Sequence, residues 1–469
     1  MVRAKSHPTT LGQLRGSGYR VVPVREEMRR NLITKLRRKE ALFPGIVGYE
    51  DTVIPHVENA ILAGQDMIFL GERGQAKSRI IRSLVSLLDE QVPIIAGSEV
   101  NDDPFAPISK YGIEMVTAKG DATEIAWVVR DQRYGEKLAT PDISIADLIG
   151  DLDPIRVAEG RYLSDELAIH YGLIPRTNRG IFSINELPDL AERIQVGLFN
   201  LMEERDIQIK GYRVRLPVDV VVVASANPED YTNRGRIITP LKDRYGAQIR
   251  THYPRQTEHE IAIMEAERTR FPDTDDLVFV PDYMKQVVAE LTSLARRHPE
   301  VNQRSGVSVR VSIANYETLV ANALRRAIRL GEKYATPRVS DLPALTSSTI
   351  GKLELESVEE GREGRVLEEL TKRAILNVFD RYFSSREFEP LMFRFDEGLA
   401  IETGSGLRAK EYVKKLKQFE GFAEALGRLQ VGEESSAIAS AVEFILEGLH
   451  LNRRLNRDRV DGGFRYKSS

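Results

Sequence analysis

The chain has 469 residues, enough for about three domains at roughly 150 residues each. Its 67 basic and 70 acidic residues leave a formal net charge of −3, which argues against a wholesale nucleic-acid or membrane coat. The absence of cysteine excludes disulfides, thiolate catalysis and cysteine zinc sites, and the seven scattered histidines show no metal-binding spacing.

Residues 1–40 are basic and read as an N-terminal helical extension, with Leu32, Ile33 and Leu36 spaced for an amphipathic helix. Such a helix either packs on the next domain or serves as a nucleic-acid or partner-binding arm. The texture changes at Phe43-Pro44-Gly45. EDTVIPHVENAILA at 50–63 reads as a helix and DMIFL at 66–70 as a buried parallel strand. A Gly-rich loop follows, then a helix through SRIIRSLVSLLDE. Three more apolar runs, VPIIAGS at 92–98, GIFSI at 180–184 and DVVVVASA at 219–226, predict further strands of one parallel sheet. Residues 99–179 read as a polar insertion, and 207–216 as a β-hairpin around Lys210-Gly211. From about Gln256 the strands stop. Thr257-x-x-Glu260 has the spacing of a capping box opening a helical domain to about residue 350. Residues 351–469 read as mostly helical, with a polar, basic, frayed tail. No apolar run approaches the roughly 20 residues of a bilayer span. MVRAKSHPTT also lacks a secretory core, so the expected compartment is the cytoplasm.

GERGQAKS at 71–78 carries the first chemistry. A phosphate loop needs glycines so that backbone N–H groups wrap the anion. It also needs a helix start, a lysine for the terminal phosphates and a hydroxyl for Mg²⁺. Gly71, Gly74, Lys77 and Ser78 supply these between a strand and a helix. Ala76 stands where glycine is usual, and it is expected to adopt helical φ/ψ. IFSINE at 181–186 ends an apolar strand where such loops usually find an Asp-Glu pair, an aspartate orienting Mg²⁺ and a glutamate activating water. Here Asn185 brings no charge, so Mg²⁺ binding is weakened or another carboxylate compensates. Glu186 is placed as general base. Asn227, after VVVVASA, can hydrogen-bond the γ-phosphate or attacking water; with Pro228 it can also simply start a turn. Arg244 and Arg310 are candidates for stabilising charge on the transferring phosphoryl group.

In this order the motifs resemble those of AAA+ ATPases, and within them the MoxR and magnesium-chelatase I-subunit group. FPGIVGYED at 43–51, YGLIPRTNRGIFSINELPDLAERIQVGLFNLMEERDIQIKG at 171–211 and VASANPEDYTNRGRIITPLKDRYG at 223–246 carry the resemblance, which spans about residues 40–350. It implies a P-loop NTPase: a three-layer α/β core with a parallel sheet at 41–256, then a helical lid at 257–350. Ile46, Val47 and Gly48 would border the adenine of ATP, and Gly71, Glu72, Arg73, Gly74, Gln75, Ala76, Lys77, Ser78 and Arg79 would hold its phosphates. Ser78, with Asn185 and Glu186 through water, would serve Mg²⁺. Asn227 would be sensor 1, Arg244 an arginine finger reaching a neighbouring subunit, and Arg310 the sensor-2 arginine of the lid. The remodelling elements would be an insertion within 141–179 and the hairpin. The resemblance also implies a homo-oligomeric ring, hexameric in type, and a protein client bearing a von Willebrand factor A domain.

Three functions compete. The first is a ring-forming motor that remodels or activates a protein. The second, motivated by Asn185, is a nucleotide-gated scaffold with very slow turnover. The third is a nucleic-acid remodeller, which the acidic balance and the missing GAFTGA loop disfavour.

Overall fold

The structure, a computed structural model, describes residues 7–153, 166–209, 215–227, 235–302, 306–355, 361–416 and 422–468. The chain forms two units, Met1–His252 and Tyr253–Ser469.

The first unit is built on five parallel strands: β1 (Met67–Leu70), β2 (Tyr134–Leu138), β3 (Gly180–Asn185), β4 (Val220–Ala226) and β5 (Ala247–Arg250), in the order β5-β1-β4-β3-β2. Side chains alternate across the sheet because the strand period is two. One face sends Ile68, Phe182, Ile184, Val220, Val222 and Ala224 into an apolar cluster with Ile194, Leu198 and Leu201. The other sends Met67, Phe69, Ile181, Val221, Val223 and Ile249 against α1 (Val24–Arg37), α2 (Val53–Leu62) and α3 (Lys77–Ser83). Apolar burial on both faces gives the three-layer α/β fold expected from alternating strands and helices.

Two strand expectations change. Gln91–Ile95 does form a strand, but it pairs antiparallel with Ile125–Val129, outside the main sheet. The place beside β3 goes instead to β2, whose YGEKL lies inside the stretch read as an insertion. As an edge strand β2 leaves Leu138 57 % exposed, so its sequence has no need of a continuous apolar run. Elsewhere in that stretch, Gly150–Leu152 pairs with Ile169–Tyr171. The expected hairpin is present as Asp206–Gln208 against Arg215–Pro217; its tip, Lys210-Gly211, lies outside the described residues.

α1 is part of the first unit's core. Val24, Met28 and Leu32 are buried, and so is Glu27, whose carboxylate accepts two hydrogen bonds from the buried Arg133 guanidinium at 2.8 and 2.6 Å.

The second unit is helical at its centre: α4 (Thr257–Glu267), α5 (Asp282–Ala295), α6 (Val309–Leu330), α7 (Arg362–Tyr382) and α8 (Ser435–Leu451). One apolar cluster draws on both sides of position 350, including Met264, Val287, Leu319, Phe379 and Phe444. The helix expected at Thr257 forms, but without a capping box. Its N-cap is Gln256, with no side-chain cap bond. Glu260 turns inward to accept from Arg296 at 2.8 and 2.9 Å and from the Ser312 hydroxyl, and a buried ion pair takes precedence over a local cap.

The expected frayed tail is also corrected. β6 (Ile401–Gly404), β7 (Leu455–Val460) and β8 (Gly463–Ser468) make a three-stranded antiparallel sheet in the order β6-β8-β7. Val460 pairs with Gly463 across a two-residue turn, Asp461-Gly462, in which Gly462 has φ +77°. Leu455 and Tyr466 enter the core, where the Tyr466 hydroxyl donates to the buried Glu447.

Candidate nucleotide-binding site

The carboxyl ends of parallel strands are where an α/β sheet binds its ligand. Register brings the sequence candidates there. Leu70 pairs with Ala226, so the loop after β1 lies beside Asn227, and the Gly71 N–H donates to the Ala226 carbonyl at 3.2 Å. Ala224 pairs with Ile184, which puts Asn185 and Glu186 beside Ser225, and the Glu186 N–H donates to the Ser225 hydroxyl at 3.3 Å.

Loop 71–76 turns into α3 at Lys77. The Lys77 ammonium is buried and donates to the loop's own carbonyls at Gly71 and, at 2.9 Å, Glu72. Ser78, Arg79 and Arg73 are exposed, and Glu72 and Gly74 are half-buried. Gly71 admits no side chain: a Cβ there would stand 1.9 Å from Thr251 Oγ1 and 2.2 Å from Gln75 Oε1. Those two groups are bonded at 2.6 Å and tie β5 to the loop.

The segment containing Ile46, Val47 and Gly48 lies against this loop. Ile46 is buried in the core, and Gly48 turns the chain at φ +82°. The next residue, Tyr49, directs its hydroxyl to the carbonyls of Gln75 at 3.0 Å and His252 at 2.7 Å. Burial pushes the Tyr49 phenol up to about 12, so it stays protonated and keeps donating through neutral pH. A Cβ on Gly45 would meet the Arg79 guanidinium at 2.9 Å, a second sign of how close the two segments run.

Two of the non-glycine candidate site residues hold left-handed backbone. Ala76 has φ +56° and ψ +14°, contrary to the helical conformation expected of it. The turn from loop into α3 demands this geometry, which explains why glycine is usual there. The conformation costs a non-glycine residue roughly 1–2 kcal/mol. Ala76→Gly should relieve that strain. After about 0.5–1 kcal/mol for glycine's extra freedom in the unfolded chain, a small net gain remains. The urea midpoint of the first unit should therefore rise slightly; a clear fall would show that the alanine methyl outweighs the strain. Glu186, at φ +54° and ψ +49°, is the other. Strained backbone persists where surrounding structure imposes it, often at functional positions.

Asn185 is buried. Its Oδ1 accepts from the Ser225 hydroxyl at 3.2 Å, and its Nδ2 donates to Glu136 Oε1 at 2.5 Å. Glu136, on β2, also takes two bonds from Arg82 of α3 at 2.8 and 3.0 Å. Burial pushes the Glu136 carboxyl up, but Arg82 and Asn185 outweigh it and hold it below the usual carboxylate range. Sequence reasoning missed Glu136, Tyr49 and Thr251. Only the charge missing at Asn185 hinted that a second carboxylate was needed.

Asn227 is buried at the end of β4; its successor Pro228 lies outside the described residues. Arg244 ends the short helix Thr239–Arg244. Its guanidinium stacks 4.6 Å over the Phe199 ring and pairs with Glu203 at 2.5 Å. Arg310 belongs to the second unit, exposed in the first turn of α6.

The parallel order β5-β1-β4-β3-β2, with a Gly-rich loop after β1 and polar residues ending β4 and β3, is that of the P-loop α/β fold of the AAA+ class. No protein-family model matches the chain. It is 28 % identical over 255 residues to the chloroplastic magnesium-chelatase subunit ChlI of Nicotiana tabacum, covering 52 % of this chain and 54 % of that one. To ChlI of a Nostoc strain it is 26 % identical over 294 residues, covering 59 % and 72 %. The chain thus spans about half the length of the tobacco relative. Among solved structures, a chain from the BchI–BchD complex of magnesium chelatase is 21 % identical with a TM-score of 0.35, covering 70 % of this chain and 98 % of that one. By these matches the chain is similar to magnesium-chelatase I subunits, and its first unit has the AAA+ fold. Among the described residues no helix is long and apolar enough to cross a membrane.

Proposed function

We propose that this protein binds ATP with Mg²⁺ at the carboxyl edge of its first-unit sheet and hydrolyses it, as a ring-forming motor that remodels or activates a protein partner. One observation carries this reading. The strained Glu186 stands on the strand end next to β4, and β4 borders the phosphate loop. In this reading Lys77 and the loop's N–H groups hold the phosphates, Glu186 takes the proton of the attacking water, and Asn227 orients it. Among the described residues no cluster of three or more acidic or imidazole groups could hold a metal alone. Mg²⁺ suits such a site, because it is commonly held by few protein groups together with phosphate oxygens. Ser78, and Asn185 and Glu186 through water, would face it.

Arg244, anchored on Glu203 and Phe199, is the proposed finger into a neighbouring subunit, and Arg310 the proposed sensor of the lid. A hexameric-type ring and a client with a von Willebrand factor A domain complete the reading, supported by the group that the chain resembles. Glu186→Gln should leave binding of an ATP analogue unchanged and lower phosphate release by roughly 100-fold or more, the scale of a lost general base. An unchanged rate would refute the role of Glu186. Asn185 favours a second reading, a nucleotide-gated scaffold, and wild-type phosphate release already indistinguishable from buffer would select it.

A further inference from the structure

Asn185 stands at the strand end where the AAA+ pattern puts an aspartate, and an amide brings no charge to a metal. The charge is present one hydrogen bond away. Glu136 reaches across from β2, where register pairs Glu136 with Ser183 and Leu138 with Asn185, and its Oε1 accepts from Asn185 Nδ2 at 2.5 Å. Two local facts show an organised carboxylate rather than a passing surface contact. The Glu136 side chain is only 21 % exposed, and both of its oxygens are engaged by Arg82, which belongs to the phosphate-loop helix itself. Arg82 is 66 % exposed, so it screens this carboxylate from the solvent side without burying it in a closed pair.

We propose that Glu136 is the compensating carboxylate of this site. It is a positioning residue that fixes the Asn185 amide and supplies the negative charge facing the water shell of a nucleotide-bound divalent cation. The assignment rests on the nucleotide-site reading above. The aspartate's charge and its hydrogen-bonding position, usually one residue, are divided here between neighbouring strands. This also explains why Asn185→Asp alone is no simple restoration, since it sets two carboxylates at hydrogen-bonding distance, where they compete for one proton.

The test is Mn²⁺ binding by the full chain with a non-hydrolysable ATP analogue, followed by electron paramagnetic resonance, beside analogue binding in EDTA. Glu136→Gln should weaken Mn²⁺ binding roughly 10-fold, as loss of an outer carboxylate partner does, while analogue binding in EDTA stays as in wild type. Glu136→Gln with Asn185→Asp returns the charge to position 185 and keeps a hydrogen bond between the two side chains. It should recover most of the Mn²⁺ affinity. An unmoved Mn²⁺ affinity in Glu136→Gln, with normal EDTA binding, overturns the assignment alone. Failure of the wild type to bind the analogue under either condition overturns the nucleotide-site reading, and this one with it. If Glu136→Gln does not fold, Arg82→Gln serves instead. It leaves Glu136 in place and unscreened and should tighten Mn²⁺ binding, whereas unchanged or weaker binding overturns the proposal.

Discussion

Lys77→Ala should lower affinity for ATP by roughly 100-fold or more, about 3 kcal/mol, the scale of charge-assisted hydrogen bonds lost from a phosphate. The Lys77 ammonium sits inside the loop, donating to the Gly71 and Glu72 carbonyls. Those carbonyls hold the buried cation within the loop, so part of its desolvation is met during folding rather than on binding. The alanine variant loses the charge and frees the two carbonyls. Lys77→Arg keeps the charge but not the fit, because a planar guanidinium cannot replace a compact ammonium in so tight a loop. Titration with a fluorescent ATP analogue measures both variants. Wild-type affinity in Lys77→Ala would remove the phosphate-loop reading.

Glu27→Ala should destabilise the first unit by about 3–5 kcal/mol, the scale for leaving one member of a buried ion pair alone. The Glu27 and Arg133 side chains are 3 % and 1 % exposed. Arg133 also donates from Nε to the Arg179 carbonyl at 2.7 Å, and Glu27 accepts the Asp89 N–H at 2.5 Å. Removing the carboxylate thus strands a buried guanidinium and a backbone N–H together. Glu27→Leu with Arg133→Met should recover much of the loss, because replacing both charges by apolar groups also removes their desolvation cost. Thermal unfolding followed by hydrogen exchange separates the two units and reads the first one. A drop below about 1 kcal/mol would mean that water relieves the pair, contrary to its burial. The consequence reaches the site, because Arg133 immediately precedes β2, the strand that presents Glu136.

β1, β3 and β4 were legible because a strand covered on both faces must be apolar throughout, and MIFL, GIFSI and VVVVASA are. The edges were not. β2 and β5 bury only part of their surface, so YGEKL and AQIR carry no run to notice. VPIIAGS at 92–98 shows the converse: an apolar run announces a strand without naming its partner. In the second unit, the turn pair Asp461-Gly462 was a readable signal for the terminal hairpin. The arginines and lysine around it pointed to solvent instead, yet alternation lets Tyr466 enter the core while its neighbours stay outside.

The sequence by itself determined that GERGQAKS follows a strand and opens a helix, and that Glu186 and Asn227 end two later strands. These are local statements, carried by glycine spacing and apolar runs. Only the tertiary structure decided that Ala76 takes the left-handed conformation a glycine would hold there. It likewise decided that Tyr49 and Thr251 brace the loop and that Asn185 meets a carboxylate 49 positions earlier in the chain. The meeting of Asn185 with that carboxylate depends on which strands lie side by side. That order is settled by how whole faces bury against one another, and no short stretch of sequence contains it.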